Sequence, residues 1–442
     1  VSEIHNLTKD FEASTDYVWP TGTTEQEYHS MSLQMSRAKE ARENYLPPND
    51  LEWEQLLNHA ENAYFSTQFQ IPQDFGSYDH FLRVLDNLDA TSSPGLPYCR
   101  TYPTIGALFG SPDKLQWNPD VKKKVWMDVK TTFRDEIDPI FAVFIKEEAH
   151  KPAKALEGRW RLIFASSLVH QIIGHMVLDT HHAKEIATTY DHPSLYGMII
   201  QHGGWKQFKR LQTALGLSHS YDRKAWDLQS PGWVYKMRKE LRKRLCLNPN
   251  PLWVKLLDWY YHTSYISSKI MFSDGQTYRQ VIDGVMKSGL VSTISDNSCA
   301  QFLEHALASM RLSSRKSIPL HIKPIFCVGD DTLQPPEEFQ EEYLELLQQA
   351  GCVIKEAHVS LKAPEFVGFR FYDTGPVPSY FSKHLTNVAH QREENLPEHL
   401  EAMLLAYINS KYRRFWIDVA DAFGVRTRSE DYYRTVMNFP TC

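Results

Sequence analysis

The chain has 442 residues, 42% of them hydrophobic, and a formal net charge of −6. That is ample for a large core, in two or three domains or in one elaborate fold. No apolar run approaches the roughly 20 residues of a membrane span, there is no signal peptide, and the cysteines at 99, 246, 299, 327, 352 and 442 form no C-x-x-C pair, so neither a cysteine zinc site nor a disulfide framework is indicated and a reducing compartment is expected.

In chain order, Val1 suggests a processed polyprotein product or a trimmed chain. Residues 1–60 are polar and predict helices over Thr24–Asn44 and Asp50–Ser66. Pro, Gly and Ser break the chain at 92–97 and 110–112. A helix is predicted from Ser167 to Lys184. Its His170, His175, His181 and His182 share no single ligand face, so they read as polar helix residues rather than zinc ligands. Leu215–Ser220 reads as a weakly apolar strand. Between 205 and 244, eleven Lys and Arg stand against three acids, so basic charge is concentrated although the sum is acidic. Within it, Lys236–Arg244 reads as well as a solvated helix face as a ligand contact. Trp253–Tyr265, after Pro249 and Pro251, is an aromatic packing segment. Glu337–Ala350 predicts an amphipathic helix with a strand after it, and the 376–442 tail a helix at Glu398–Tyr412. There are no repeats, no G-x4-G-K-[ST] loop and no H-E-x-x-H.

Three elements carry chemistry. In Cys327-Val328-Gly329-Asp330-Asp331-Thr332, apolar runs enter and leave two adjacent acids through a glycine, which predicts a β-hairpin with carboxylates at its tip. Adjacent acids repel, and a divalent cation is the usual answer for hard oxygen ligands; read alone, the triplet is a solvated turn. Asp222 and Asp227 form a second pair, Asp222 at the end of a strand beside the hairpin and Asp227 past the turn towards a helix. Acids converging from two elements are what two-metal nucleotidyl transfer requires; the plainer reading is a helix N-terminus decorated with acids. Between the pairs, Lys287 to Ser298 is a small, polar stretch running into an apolar helix, with Thr293 and Asn297 four apart on one face; alone it reads as an N-capped helix.

In this order and spacing, the elements resemble motifs A, B and C of the viral RNA-dependent RNA polymerases: Asp222-x4-Asp227, Ser288-Gly289-x3-Thr293-x3-Asn297 and Gly329-Asp330-Asp331. Phe144–Glu148 through Arg159–Ser167 is similar to motif F, Thr91–Tyr98 to motif G and Glu365–Phe371 to the motif E hairpin. Residues 337–355 fit motif D, with Lys355 preferred over Lys362 as its lysine. The resemblance covers roughly 90–372 and is nearest the sobemovirus-like and luteovirus-like members of the picornavirus-like supergroup. It implies an α+β right hand with an antiparallel palm sheet flanked by helices. The N-terminal extension and fingers would occupy 1–180, palm 181–246, a fingers insertion 247–287, palm again 288–373 and the thumb 374–442.

The resemblance further implies template-directed RNA synthesis. Asp222, Asp330 and Asp331 would ligate two Mg²⁺ ions, with Mn²⁺ as a substitute. Lys154, Arg159 and Arg161 would contact the triphosphate, since the arginine fork suits phosphate oxygens; strand alternation would direct Arg159 and Arg161 to one face. Asp227 and Asn297 would read the ribose 2′-OH, Ser288 and Gly289 would form the mobile loop next to the template base and sugar, Thr293 would bind substrate with them, and Lys355 would be the general acid for pyrophosphate. Implied partners are template and product RNA, NTPs and other viral replication proteins, with a protein primer if synthesis is protein-primed rather than primer-independent, and without an integral membrane segment, in replication complexes of the host cytoplasm. The rivals are a reverse transcriptase, whose Tyr-x-Asp-Asp hairpin Cys327-Val328-Gly329-Asp330 departs from, and a non-catalytic RNA-binding scaffold, for which the acids would be dispensable.

Overall fold

The computed structural model describes residues 17–43 and 45–440; Cys442 and the end of the helix expected to reach Asn44 lie outside them. The chain opens with α1 (Thr24–Arg42) and α2 (Asp50–Ala63), each closed by a capping box, then α3 (Tyr78–Asn87), α4 (Ile105–Phe109) and α5 (Pro119–Asp135). Strand β1 (Ile140–Ile145) returns through α6 (Pro152–Leu156) as β2 (Leu162–Ala165), the two pairing antiparallel. Helix α7 (Leu168–Ala187) follows, started by Ser167, whose Oγ accepts from the His170 N–H, as an N-cap serine does.

Helix α8 (Gly204–Ala214) leads to β3 (His219–Arg223), α9 (Trp226–Gln229), α10 (Gly232–Leu245) and α11 (Pro251–Tyr261), the last continued by a π-turn over His262–Ile266. Strands β4 (Lys269–Met271) and β5 (Thr277–Arg279) extend the first pair into a sheet ordered β2-β1-β4-β5. Then come α12 (Thr293–Lys316), β6 (Phe326–Val328), β7 (Asp331–Gln334), α13 (Gln340–Ala350) and β8 (Ile354–Val359). A second sheet, ordered β6-β7-β3-β8, is antiparallel throughout. Strands β9 (Glu365–Phe366), β10 (Phe369–Tyr372) and β11 (Gly375–Pro378) form a third. The tail holds α14 (Phe381–Ala389), α15 (Leu396–Ala406), α16 (Arg413–Ala422) and α17 (Glu430–Asn438).

Apolar side chains of α7, α10, α11 and α12 fill the largest core, and the aromatic segment at 253–265 lies inside it as expected, with Trp253, Tyr260 and Tyr265 at 0% exposure. A second core joins β9 and β10 to the four tail helices, and a smaller one seats α13 on α12. The sheet containing β3 is therefore held by helices of two cores, which fixes the ends of its strands.

Three expectations are corrected and one is refined. The strand before Asp222 is His219–Arg223 rather than Leu215–Ser220, because Leu215 closes α8 and Gly216 turns the chain. The tail carries three helices besides the expected one, which stops at Ala406. The α7 histidines, read as polar helix residues, lie largely inside the fold: His170 and His181 are buried and His182 is half-buried. His170 meets Ser166 Oγ at 2.8 Å and stacks on Tyr260, and Arg242 reaches both His181 and His182. Burial lowers the pKa of His170 to about 3 and of His182 to about 4, and pushes that of His181 down as well.

The fourth concerns the basic run. Arg238 and Arg242 are 0% exposed on α10, so it is not a solvated face. Arg238 meets Glu185 at 2.6 Å and Asp296 at 3.4 Å, and Arg242 meets Asp296 at 2.9 Å. Tyr261 and Tyr265 also donate to Asp296, each at 2.8 Å. On the outer side, Lys236 pairs with Asp283, Lys239 and Lys243 with Asp258 at 2.8 Å each, and Arg244 with Glu54 and Glu61. The helix is neutralised within the chain, because a buried charge is tolerated only when paired and hydrogen-bonded.

Candidate active site

Strand β3 pairs with β7 through Tyr221 and Thr332, so Asp222 and Asp331 lie at adjoining strand ends. The hairpin between β6 and β7 turns at Gly329, whose φ of +61° is a region that L side chains rarely adopt. A Cβ there would meet nothing within 4 Å, so it is backbone shape and not space that calls for glycine. The Gly329 N–H donates to Ser298 Oγ at 2.9 Å, tying the hairpin to the first turns of α12. After β3 the pairing with β8 is irregular at Asp222/Arg223, and Ala225 takes a positive φ of 47°. That kink carries Asp227 off the strand line onto α9, as the spacing predicted.

The acids crowd one another. Burial first, then Asp330 and Asp222, push the Asp331 carboxyl up to about 7. Burial and Asp330 bring Asp227 to about 6, against the pull of Arg161 and Lys146. Asp330 is raised by burial, with Asp222 adding to it. The hairpin tip is solvent-accessible but stands in a cleft deep enough to desolvate these groups. A set of hard carboxylate oxygens with more negative charge than it can hold is the donor set that suits a divalent cation. Among the described residues no three potential ligands are already gathered at metal-binding geometry. Asp222 is instead engaged by Lys355 Nζ, which reaches it from β8. The Lys362 carbonyl accepts from Lys209 Nζ at 2.7 Å. A cavity of ≈250 Å³ opens beside this pair, lined by Asp222, Asp331, Lys355, Glu365, Arg370 and Tyr380 among others.

Cations stand opposite. Arg161 meets Asp227 at 3.7 Å and Glu148 at 3.6 Å. Lys146 and Lys383 also reach Glu148. Arg159 turns to Glu157 at 3.0 Å. The strand begins only at Leu162, so the alternation expected for Arg159 and Arg161 does not operate; the α6 turn sets their directions. Lys154, on α6, has no carboxylate partner among the described residues. Burial lowers its pKa, helped by Arg159, Lys355, Lys151 and Arg161, so it stands among cations without an acid of its own.

The loop before α12 is shaped by contact with β2. A Cβ on Gly289 would sit 2.3 Å from the Phe164 carbonyl, closer than any side chain permits. Among the described residues, Ser288 Oγ is buried without a hydrogen-bond partner. Thr293 Oγ1 donates back to the loop carbonyls of Lys287, Ser288 and Leu290. It thus closes the loop itself, while Ser292, at the cap position, makes no side-chain cap bond. Asn297 is 4% exposed and accepts through Oδ1 from Trp226 Nε1 at 2.8 Å. Residues 91–98 form a loop fastened to the start of α7 by the Leu168 N–H on the Pro94 carbonyl. The expected hairpin at 365–371 is present as β9 and β10.

Of the sequence-derived candidates, Asp222, Asp227, Asp330 and Asp331 therefore stand together, with Arg161 against Asp227, Lys355 against Asp222 and Lys154 near both cations, while Arg159 is held apart by Glu157. Sequence reasoning missed Trp226, Ser298 and the anchoring acid Glu148. The signal for Trp226 was a donor-only aromatic beside an acid; nothing local marked Ser298.

A profile of the family described as "Viral RNA-dependent RNA polymerase" matches residues 43–361. The chain is 28% identical over 325 residues to "Protein P2-P3" of Poinsettia latent virus, covering 65% of this chain and 29% of that protein. It is 24% identical over 370 residues to "Protein P1-P2" of Potato leafroll virus (strain Potato/Scotland/strain 1/1984), covering 74% and 33%. It thus spans about a third of these relatives' length. In three dimensions it resembles a solved structure titled "Sicinivirus 3Dpol RNA dependent RNA polymerase", with a TM-score of 0.70, 16% identity and coverage of 89% of this chain and 86% of that one. The fold is accordingly the α+β right hand. With its profile matched over well more than half its residues, the chain belongs to the viral RNA-dependent RNA polymerase family.

Proposed function

We propose that the chain copies an RNA template, transferring nucleotides from NTPs to an RNA 3′-OH in the replication of a viral genome. The observation that carries this reading is the cleft itself, in which Asp222, Asp227 and Asp330 face Lys154 and Arg161, with Lys355 between. Family membership brings divalent-metal chemistry; the finer reading is that Asp222, Asp330 and Asp331 hold two Mg²⁺ ions. When bound, such ions activate the attacking hydroxyl and neutralise the departing pyrophosphate.

The chain's own groups do the rest. Lys154 and Arg161, with Arg159 once released from Glu157, receive triphosphate oxygens that would otherwise be repelled by the acids. Lys355 holds Asp222 in the free protein, and triphosphate in the cleft would draw its ammonium towards the leaving group, where it can supply a proton. A ribose 2′-OH can donate to one of Asp227 and Asn297 and accept from the other, so a deoxy sugar would leave polar groups unpaired, which is costly in a buried site. Ser288, whose buried hydroxyl has no partner among the described residues, and Gly289, packed on the Phe164 carbonyl of β2, would form the mobile loop next to the template base and sugar. The division into fingers, palm and thumb at 1–180, 181–246, 247–287, 288–373 and 374–442 belongs to this reading. So do a protein primer, other replication proteins and a host-cytoplasm setting.

The test supplies homopolymeric RNA, Mg²⁺ and the complementary NTP, with and without a primer, to the purified chain and to Asp330→Asn. The expected outcome is extension by the first protein and none by the variant, which keeps its melting temperature. Preferential use of dNTPs on the same RNA would favour a reverse transcriptase. Equal turnover by Asp330→Asn would remove the acids from catalysis. The primer-free arm reads how synthesis starts.

A further inference from the structure

An asparagine can read a hydroxyl group in two ways, as acceptor through Oδ1 or as donor through Nδ2. Which one it presents depends on what holds the amide. Here Oδ1 of Asn297 accepts from the Trp226 indole at 2.8 Å and faces the Tyr235 hydroxyl at 3.4 Å. An indole N–H can only donate. A flipped amide would set two donors against each other in a place where both rings are buried, Trp226 at 3% exposure and Tyr235 at 0%. Tyr235 is braced in turn: it stacks on Tyr265 at 3.9 Å between centroids and 4° between planes. Tyr265 donates to Asp296 Oδ2 at 2.8 Å, inside the ion network of α10. Oδ1 is thus spoken for, and Nδ2 makes no hydrogen bond to any described residue.

We propose that Trp226 is a specificity-determining positioning residue, whose indole N–H locks Asn297 so that the amide N–H group, and not its oxygen, is presented to the sugar 2′-hydroxyl. This rests on the reading of Asn297 and Asp227 as the sugar-sensing pair. It assigns the two sides of the hydroxyl: Asp227 accepts a hydrogen bond from it and the Asn297 amide donates one to it. Trp226 and Asp227 are chain neighbours, so the kink at Ala225 that aims the acid also aims the indole which orients the amide. One turn thereby sets both halves of the recognition. A buried indole also needs a partner for its N–H simply to be tolerated, and only a sugar-dependent readout separates that role from this one.

The test measures kcat/KM for single-nucleotide extension with an NTP and with the matching dNTP, using the full chain on a primed homopolymer. The variants are Trp226→Phe, Asn297→Ala, Asn297→Asp, Asp227→Ala and the Trp226→Phe/Asn297→Ala pair, each checked for its melting temperature. Trp226→Phe is expected to lower the NTP:dNTP ratio by roughly 3- to 10-fold, the scale of one net hydrogen bond. The pair is expected to be no worse in this ratio than Asn297→Ala alone, since the indole acts through the amide. Asn297→Asp leaves the indole its acceptor but removes the donor, and is expected to lose discrimination as Asn297→Ala does. It tests the orientation even if Trp226→Phe does not fold. A normal ratio in Trp226→Phe, or in Asn297→Asp, alongside a lowered one in Asn297→Ala would overturn the proposal and spare the sugar-sensing pair. Unchanged ratios in both Asn297→Ala and Asp227→Ala would overturn that pair, and the proposal with it.

Discussion

Arg161 bridges two acids of different standing: Glu148, shared with Lys146 and Lys383, and Asp227, the acid proposed to sense the sugar. Both contacts exceed 3.5 Å, so the guanidinium is held loosely enough to turn to a better anion. A charge-assisted contact to phosphate is worth about 1.5–3 kcal/mol, so Arg161→Ala should cost roughly 10- to 150-fold in kcat/KM for NTPs. RNA affinity at fixed salt should change little. Weakened RNA binding with an unaltered NTP requirement would move Arg161 to the template path. At this scale the site was legible wherever a residue type is tied to backbone shape or chemistry. Gly329 needs its positive φ, and Gly289 has the Phe164 carbonyl where a side chain would be. The direction of Asn297 was not legible, because its orienting donor, Trp226, lies 71 positions away.

Helix α10 shows where reading an element alone fails. Its sequence reads as a basic surface because its balancing acids are distant in sequence: Glu185 is 53 positions from Arg238, and Asp296 is 54 from Arg242. Periodicity reports which face of a helix is apolar and says nothing of a charge whose partner arrives from another element. The short tail helices were missed for a related reason: each buries a few side chains against its neighbours and carries little pattern by itself. The contrast within α10 is measurable. Removing Arg242 leaves Asp296 with a broken pair in the core, and Arg242→Ala should destabilise by about 3–5 kcal/mol. Lys243, paired at the surface with Asp258 and Glu240, should cost no more than about 1 kcal/mol when changed to alanine. Denaturant unfolding midpoints of the two variants give the comparison; equal losses would mean that the buried network contributes no more than its rim.

For the whole molecule, the buried imidazoles set an acid limit. Burial lowers the pKa of His170 to about 3 and of His305 to about 4; His305 is locked between Tyr343 Oη at 2.7 Å and the Lys323 carbonyl at 2.9 Å. The unfolded chain takes up these protons from about pH 6.5 downward while the folded chain refuses them, so the unfolded state binds more protons and stability falls with pH. The contribution is complete above pH 6.5 and is lost as pH drops towards 4 and then 3. Melting temperature should decline steadily from pH 7 to 4.5, and His305→Gln should flatten the decline; a flat profile in the parent protein would show that the histidines are not held neutral. The neutralised α10 also bears on how the protein grips a polyanion. Each phosphate met by a free cation releases condensed counterions and adds about 0.7 to the slope of log affinity against log salt for single strands. Lys236, Lys239 and Lys243 already have their counterions built in, as Asp283, Asp258 and Glu240. Replacing all three with alanine should therefore leave that slope unchanged, whereas a drop of about 2 would reveal them as phosphate contacts. The most basic stretch of the sequence would then be electrostatically silent towards RNA, and the salt sensitivity of binding would belong to cations whose partners the fold has left vacant.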